Sequence, residues 1–123
     1  MTAARRRVAW RRGRVAESVC VAWLMLHGYR IIGTRMRSPV GEIDIAARRG
    51  RMLAVIEVKA RGTRAMALAS VGKRQRRRLL RAAEWLIAGR TDLAELDIRF
   101  DVMAVAPWRL PVHVIDAWRT DEG

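Results

Sequence analysis

Three acidic side chains and a lysine stand at strand spacing in the first half of the chain. One residue separates Glu42 from Asp44 and one separates Glu57 from Lys59, and both pairs lie in runs that are otherwise apolar. Acidic groups in such runs are costly to bury unless they are paired or bound to a cation. Ligand sets made of oxygen alone suit Mg²⁺ or Mn²⁺ better than zinc, and a half-filled carboxylate set leaves room for water and a phosphate oxygen. The alternative, open at this point, is that Glu42, Asp44 and Glu57 pair with Lys59, Arg61 or nearby arginines. Residue choice adds weight to the first reading, because the chain has 23 arginines and only two lysines, Lys59 and Lys73. A guanidinium keeps its proton and is broad and planar. An ammonium is compact and loses its proton readily when desolvated, which suits a group that orients or deprotonates an attacking water.

The elements that must position these groups follow from hydrophobic period. Gly13 to His27 is helical, with Val15, Val19, Ala22, Trp23 and Leu26 on one face and Gly28 as the stop. Cys20, Val21 and Leu24, on the other side, are apolar too, so little of the second half can face water. Glu17 lies one turn before those three, and its carboxylate is aimed along a surface that is otherwise buried. Tyr29–Arg37, Glu42–Ala47 and Met52–Ala60 read as strands, the third with the apolar character of a central position. Residues 61–69 read as a loop, Ser70 as a helix cap, and Val71–Ala88 as a helix with Leu79, Ala82, Ala83 and Leu86 inward. A fourth strand, Ile98–Val105, alternates Ile98, Phe100, Val102 and Ala104 against Arg99 and Asp101, and a fifth, Val112–Ile115, follows the Pro107–Pro111 turn.

This order predicts an α/β fold whose mixed central sheet of about five strands is an antiparallel meander followed by a right-handed helix crossover, flanked by two main helices. A single domain is expected over residues 13–118, with a basic arm at 1–12 and a tail at 119–123. A hairpin loop at Arg49-Gly50, or from Arg48 to Arg51, pairs residues whose numbers sum to 99, with Asp44 opposite Val55 and Glu42 opposite Glu57. Asp44 and Glu57 are then diagonal neighbours on one face, within roughly 7–8 Å.

Twenty-five Lys and Arg against twelve Asp and Glu give a formal net charge of +13, which calls for a polyanionic partner, nucleic acid or an anionic membrane. No helix pairs a basic face with a broad exposed apolar one, and the run from Val19 to Leu26 falls far short of the roughly 20 residues needed to cross a bilayer. A membrane partner is therefore set aside. One cysteine, Cys20, and two histidines, His27 and His113, exclude an intramolecular disulfide and a Cys/His zinc site, and suit a cytoplasmic protein.

Gly41-Glu42-Ile43-Asp44, followed after a hairpin by Ile56-Glu57-Val58-Lys59-Ala60-Arg61, resembles the PD-(D/E)XK nuclease core, and specifically the YraN-type family of small bacterial proteins classed as endonucleases. Ala16-Glu17, Gly28-Tyr29-Arg30-Ile31, Gln75 and Arg99-Phe100-Asp101 extend the likeness over most of the chain. The resemblance implies a restriction-endonuclease-like core in which Asp44 and Glu57 bind Mg²⁺ or Mn²⁺ with the Val58 carbonyl, and Lys59 positions the water. It also implies that Glu17 reaches in as an outer or second-metal ligand and that Gln75 faces the same site. Gln75 as a plain helix-surface residue remains open.

Arg11 and Arg12 in the N-terminal arm, Arg61 after the third strand, and Lys73, Arg74, Arg76, Arg77, Arg78 and Arg81 on the second helix suit backbone phosphates. Such contacts carry affinity without sequence information. The expected function is a metal-dependent endonuclease acting on DNA, structure-specific or non-specific; the rival is a nucleic-acid-binding module on the same fold without turnover. A homodimer is left open. Of the five tryptophans only Trp10 is a candidate for stacking on bases, the others being expected to pack.

Overall fold

The computed structural model describes residues 14–60 and 63–119. The expectations placed on the arm at 1–12, on Arg61 and on the tail from residue 120 lie outside them. Helix α1, Arg14–Leu26, ends where Gly28 takes a φ of +85°, and the Gly28 and Tyr29 amides turn back to the Met25 and Leu24 carbonyls at 3.1 and 2.9 Å. This is a Schellman stop, which a residue with a Cβ adopts only under strain. Strands β1, β2 and β3 follow at Arg30–Ser38, Gly41–Arg49 and Met52–Lys59. The segment expected to be a loop contains a short helix, α2, Arg64–Ala69, whose first turn is capped by the Thr63 hydroxyl. Ser70 therefore closes α2, and the next helix, α3, Lys73–Ala88, starts from Gly72 with no side-chain cap. A 3₁₀ turn, Thr91–Leu93, leads to β4, Asp97–Ala104, and β5, Val112–Trp118.

The five strands form one sheet in the order β1-β2-β3-β4-β5, antiparallel except for the parallel β3–β4 pair that α2 and α3 bridge. This is the mixed sheet expected from the sequence, compatible with a restriction-endonuclease-like core. The hairpin register differs: Arg49 pairs with Met52 and Ile45 with Ile56, a sum of 101 rather than 99. The turn is Gly50-Arg51, with φ +61° at Gly50 and no positive φ at Arg51. Glycine thus fills the first central position, as a type II′ turn requires, and not the second.

Both faces of the sheet are covered, so the core is double. Leu79, Ala82, Ala83 and Leu86 of α3 pack on Leu53, Val55, Phe100 and Val102. On the other face Ala16, Cys20 and Leu24 of α1 pack on Ile45, Ala47, Ala54, Ile56 and Met103. The buried row of α1 is thus the Cys20 side. Val15 and Leu26, expected inward, are exposed. With apolar residues all round this helix, the sequence period could not choose a side; the small Ala16 and Cys20 fit closest to the sheet. Of the described residues, no helix is long and apolar enough to cross a membrane.

Candidate active site

Continuing the β2–β3 ladder beyond Ile45↔Ile56 would pair Ile43 with Val58, but the Val58 amide donates instead to Asp44 Oδ2 at 2.8 Å. A side chain takes the place of a backbone partner, and the two strands part there. Strict alternation along β2 fails at the same point: Ile43 and Ala46 both join the α3-side core, while Ile45 and Ala47 join the α1-side core. The shared face expected for Glu42, Asp44 and Ala46 is therefore broken at Asp44, because the ladder that enforces alternation ends there. Asp44 and Glu57 are brought together as expected, although as the next step of the register and not as a diagonal pair. Glu42 does not face Glu57; it stands opposite Arg37 on β1, 3.6 Å from its guanidinium.

Two neighbours hold Glu57. Gln75, on the first turn of α3, donates Nε2 to Glu57 Oε1 at 2.6 Å, and Lys59 Nζ lies 3.4 Å from that same oxygen and 3.4 Å from Gln75 Oε1. Gln75 is thus a bracket between the acid and the lysine, and the surface reading of this residue falls away. Burial raises the Glu57 carboxyl to about 7, the charge of Asp44 adds to the shift, and Lys59 opposes it. Burial raises Asp44 as well, against the Val58 amide.

Two sheltered carboxyls whose ionisation burial opposes are a pair that a divalent cation would relieve. The donor set fits one. The Val58 carbonyl points to the same side of its strand as its amide, toward Asp44, and two carboxylates with one carbonyl leave the several open positions that Mg²⁺ and Mn²⁺ fill with water or phosphate oxygen. Glu17 does not complete this set. Its carboxylate is bound by Arg35 Nε at 2.5 Å, and among the described residues no group of three or more His, Cys, Asp or Glu is arranged to hold a metal. Arg35 lies on β1 between Thr34, paired with Ile45, and Met36, paired with Ile43, and so level with Asp44, in a left-handed conformation with φ +48°. Glu17 is nonetheless close at hand, because the buried Cys20 thiol is pushed up to about 12 by burial, then by the charges of Asp44 and Glu17.

Lys73, Arg74, Arg77, Arg78 and Arg81 are exposed along α3. Arg76 is not available in the same way: its Nε donates to the Val71 carbonyl at 3.1 Å and its guanidinium lies 5.4 Å from the centre of the Trp118 ring. Sequence reasoning missed a second buried acid. Asp101 on β4 is fully buried and accepts from Arg99 Nε and Nη2 at 2.8 Å each, from the Asp116 amide at 3.0 Å and from His113 Nε2 at 2.7 Å. Arg99 also donates to the Tyr29 hydroxyl at 2.5 Å. The signal was present, since Asp101 sits among Phe100, Val102 and Met103 as improbably as Asp44 sits among its neighbours.

The model of the uncharacterised protein family UPF0102 matches residues 16–105, which include Glu17, Asp44, Glu57, Lys59 and Gln75. The UPF0102 protein Mmar10_3014 of Maricaulis maris is 52% identical over 118 residues, covering 96% of this chain and 92% of its own. The UPF0102 protein amb4503 of Paramagnetospirillum magneticum is 47% identical over 117 residues, 92% and 91% of the two chains.

Proposed function

The chain belongs to the UPF0102 family, and we propose that it is a metal-dependent phosphodiesterase acting on DNA, with Asp44, Glu57, Lys59 and Gln75 as its working residues. The observation that carries this reading is the placement of half-buried Asp44 and buried Glu57 side by side where the β2–β3 ladder opens, with Val58 held by Asp44 and Glu57 bracketed by Lys59 and Gln75. A divalent cation bound by the two carboxylates would supply the charge that polarises a phosphodiester and acidifies a water. Gln75 fixes the orientation of the Glu57 carboxylate. Lys59 then stands beside it as a compact cation able to orient the attacking water. The exposed cations of α3 and the net charge of +13 suit a polynucleotide held by its phosphates.

The test is a cleavage screen across branched, single-stranded and duplex DNA with Mg²⁺ and Mn²⁺. Product is expected from the parent and none from Asp44→Asn, Glu57→Gln, Lys59→Ala or Lys59→Arg. An active Lys59→Arg enzyme would refute the water-positioning role, since a charge-only role lets arginine serve. One observation favours the binding-module reading, the capture of Glu17 by Arg35 outside the acidic pair. Salt-sensitive DNA binding by the parent with no product on any substrate would decide for that reading.

A further inference from the structure

We infer that the β4–β5 loop, residues 106–111, is a base-stacking finger, with Trp108 seated on an unpaired nucleobase of a polynucleotide bound at the Asp44–Glu57 site. The inference rests on the reading above and narrows its substrate to single-stranded or locally unpaired DNA. Trp108 is fully exposed, at 101%, and its φ is +63°. The Arg109 amide returns to the Ala106 carbonyl at 3.4 Å, so Pro107 and Trp108 are the two central residues of a β-turn. Proline at the first and positive φ at the second describe a type II turn, whose second central place ordinarily belongs to glycine. A bulky aromatic there is a backbone outlier, and such outliers gather at functional sites. Folding would be served better by glycine, and packing is not served at all, because the ring touches solvent on every side.

The loop's position gives the ring a use. Lys59 pairs with Ala104 in the parallel β3–β4 ladder, and the Val105 amide donates to the Lys59 carbonyl at 2.9 Å. The finger therefore springs from the end of the sheet that carries Lys59, and Trp108 is three residues on from Val105, within about 11 Å of chain. Arg109 lies beside it in sequence, and Leu110, 77% exposed, adds apolar surface. An aromatic face flanked by cation, at the rim of a phosphodiester site on a protein of charge +13, matches unstacked bases on a phosphate backbone. Intact duplex offers no base face to such a ring.

The experiment measures binding of a fluorescein-labelled oligo-dT strand and of a fully paired two-strand duplex of equal length by anisotropy, in chelator so that neither is cut. Trp108→Ala and Trp108→Gly are each expected to lose about tenfold or more on the single strand, with the duplex affinity unchanged within about twofold and the single-strand affinity largely recovered in Trp108→Phe. Trp108→Gly guards against a folding artefact, since glycine suits the positive φ and its melting temperature is expected to equal or exceed the parent's. Equal loss on both DNAs, no loss on either, or a loss seen only on phosphatidylglycerol vesicles would overturn the finger while leaving the phosphodiesterase reading in place. A parent that bound neither DNA would overturn both.

Discussion

Among the described residues two acidic centres are sheltered in the sheet, and they are built in opposite ways. Asp101 is completely enclosed, yet Arg99, His113 and the Asp116 amide saturate its oxygens, and their hydrogen bonds outweigh burial so that its pKa lies below the usual carboxylate value. Asp44 and Glu57 are also sheltered, but their partners are one lysine, one glutamine and one amide for two carboxyls, and burial raises both. The first centre is complete as it stands and ties β1, β4 and β5 together through Tyr29, Arg99 and His113. The second is short of positive charge. Burial alone does not distinguish a structural acid from a chemical one; the balance of its partners does.

Breaking the saturated centre should have the largest effect. Asp101→Ala strands the nearly buried Arg99 guanidinium and is expected to destabilise the fold by about 3–5 kcal/mol in urea melts, as for any buried pair that loses one partner. A cost below about 1 kcal/mol would dissolve the contrast between the centres.

The pH dependence of stability should sharpen it. Between an unfolded value of 4.5 and a folded value of about 7, Glu57 holds its proton in the native state and has lost it in the unfolded chain. Its contribution to stability is therefore full below pH 4.5 and declines as pH rises to about 7. In chelator this amounts to on the order of 3 kcal/mol. Asp101, shifted the other way, contributes above pH 3.8 and fails only in stronger acid. The two windows do not overlap, so a chelator melt series from pH 4 to 8 reads the Asp44–Glu57 pair apart from Asp101. Stability that rose through that range would contradict the charge-poor description of the pair.

The smallest effect is expected at Asp44. Asp44→Asn keeps an acceptor for the Val58 amide and, at pH 8 where both carboxyls are ionised, removes one of two repelling charges, so the metal-free protein should change by no more than about 1 kcal/mol, in the stabilising direction. Mn²⁺ should stabilise the parent, as any ligand selective for the native state does, by about 2.7 kcal/mol at a hundredfold excess over Kd, read as a rise in melting temperature. In Asp44→Asn that shift should nearly vanish. A variant strongly destabilised in chelator, beside a parent indifferent to Mn²⁺, would make Asp44 an ion-pair residue.

Much of this was legible before any coordinates. Apolar runs, alternating or continuous, located all five strands, and the cost of acids within them pointed to Asp44 and Glu57. The hairpin register was missed by two because Gly50 was placed second in its turn, where Asn-Gly habits put it, and not first. Helix α1 hid its buried row because both its sides are apolar. Helix α2 escaped because six residues hold too little period to be seen against a loop. The Tyr29–Arg99–Asp101–His113 network depends on strands remote in sequence, and Trp108 reads as packing material until the turn that expels it is known.

The parting of β2 and β3 at Asp44 also bears on how the chain folds. Tight turns at Ser38–Gly41 and Gly50-Arg51 join β1, β2 and β3, so this meander can pair on the microsecond scale of hairpins, while β3 must wait for α2 and α3 to be traversed before it meets β4. On this order Asp44 and Glu57 would meet while still hydrated, before α3 docks. Gln75 comes with α3, and burial raises the Glu57 carboxyl to about 7 in the native state. Closing α3 over the pair would then take up a proton and be favoured in mild acid, unless a cation already filled the pair.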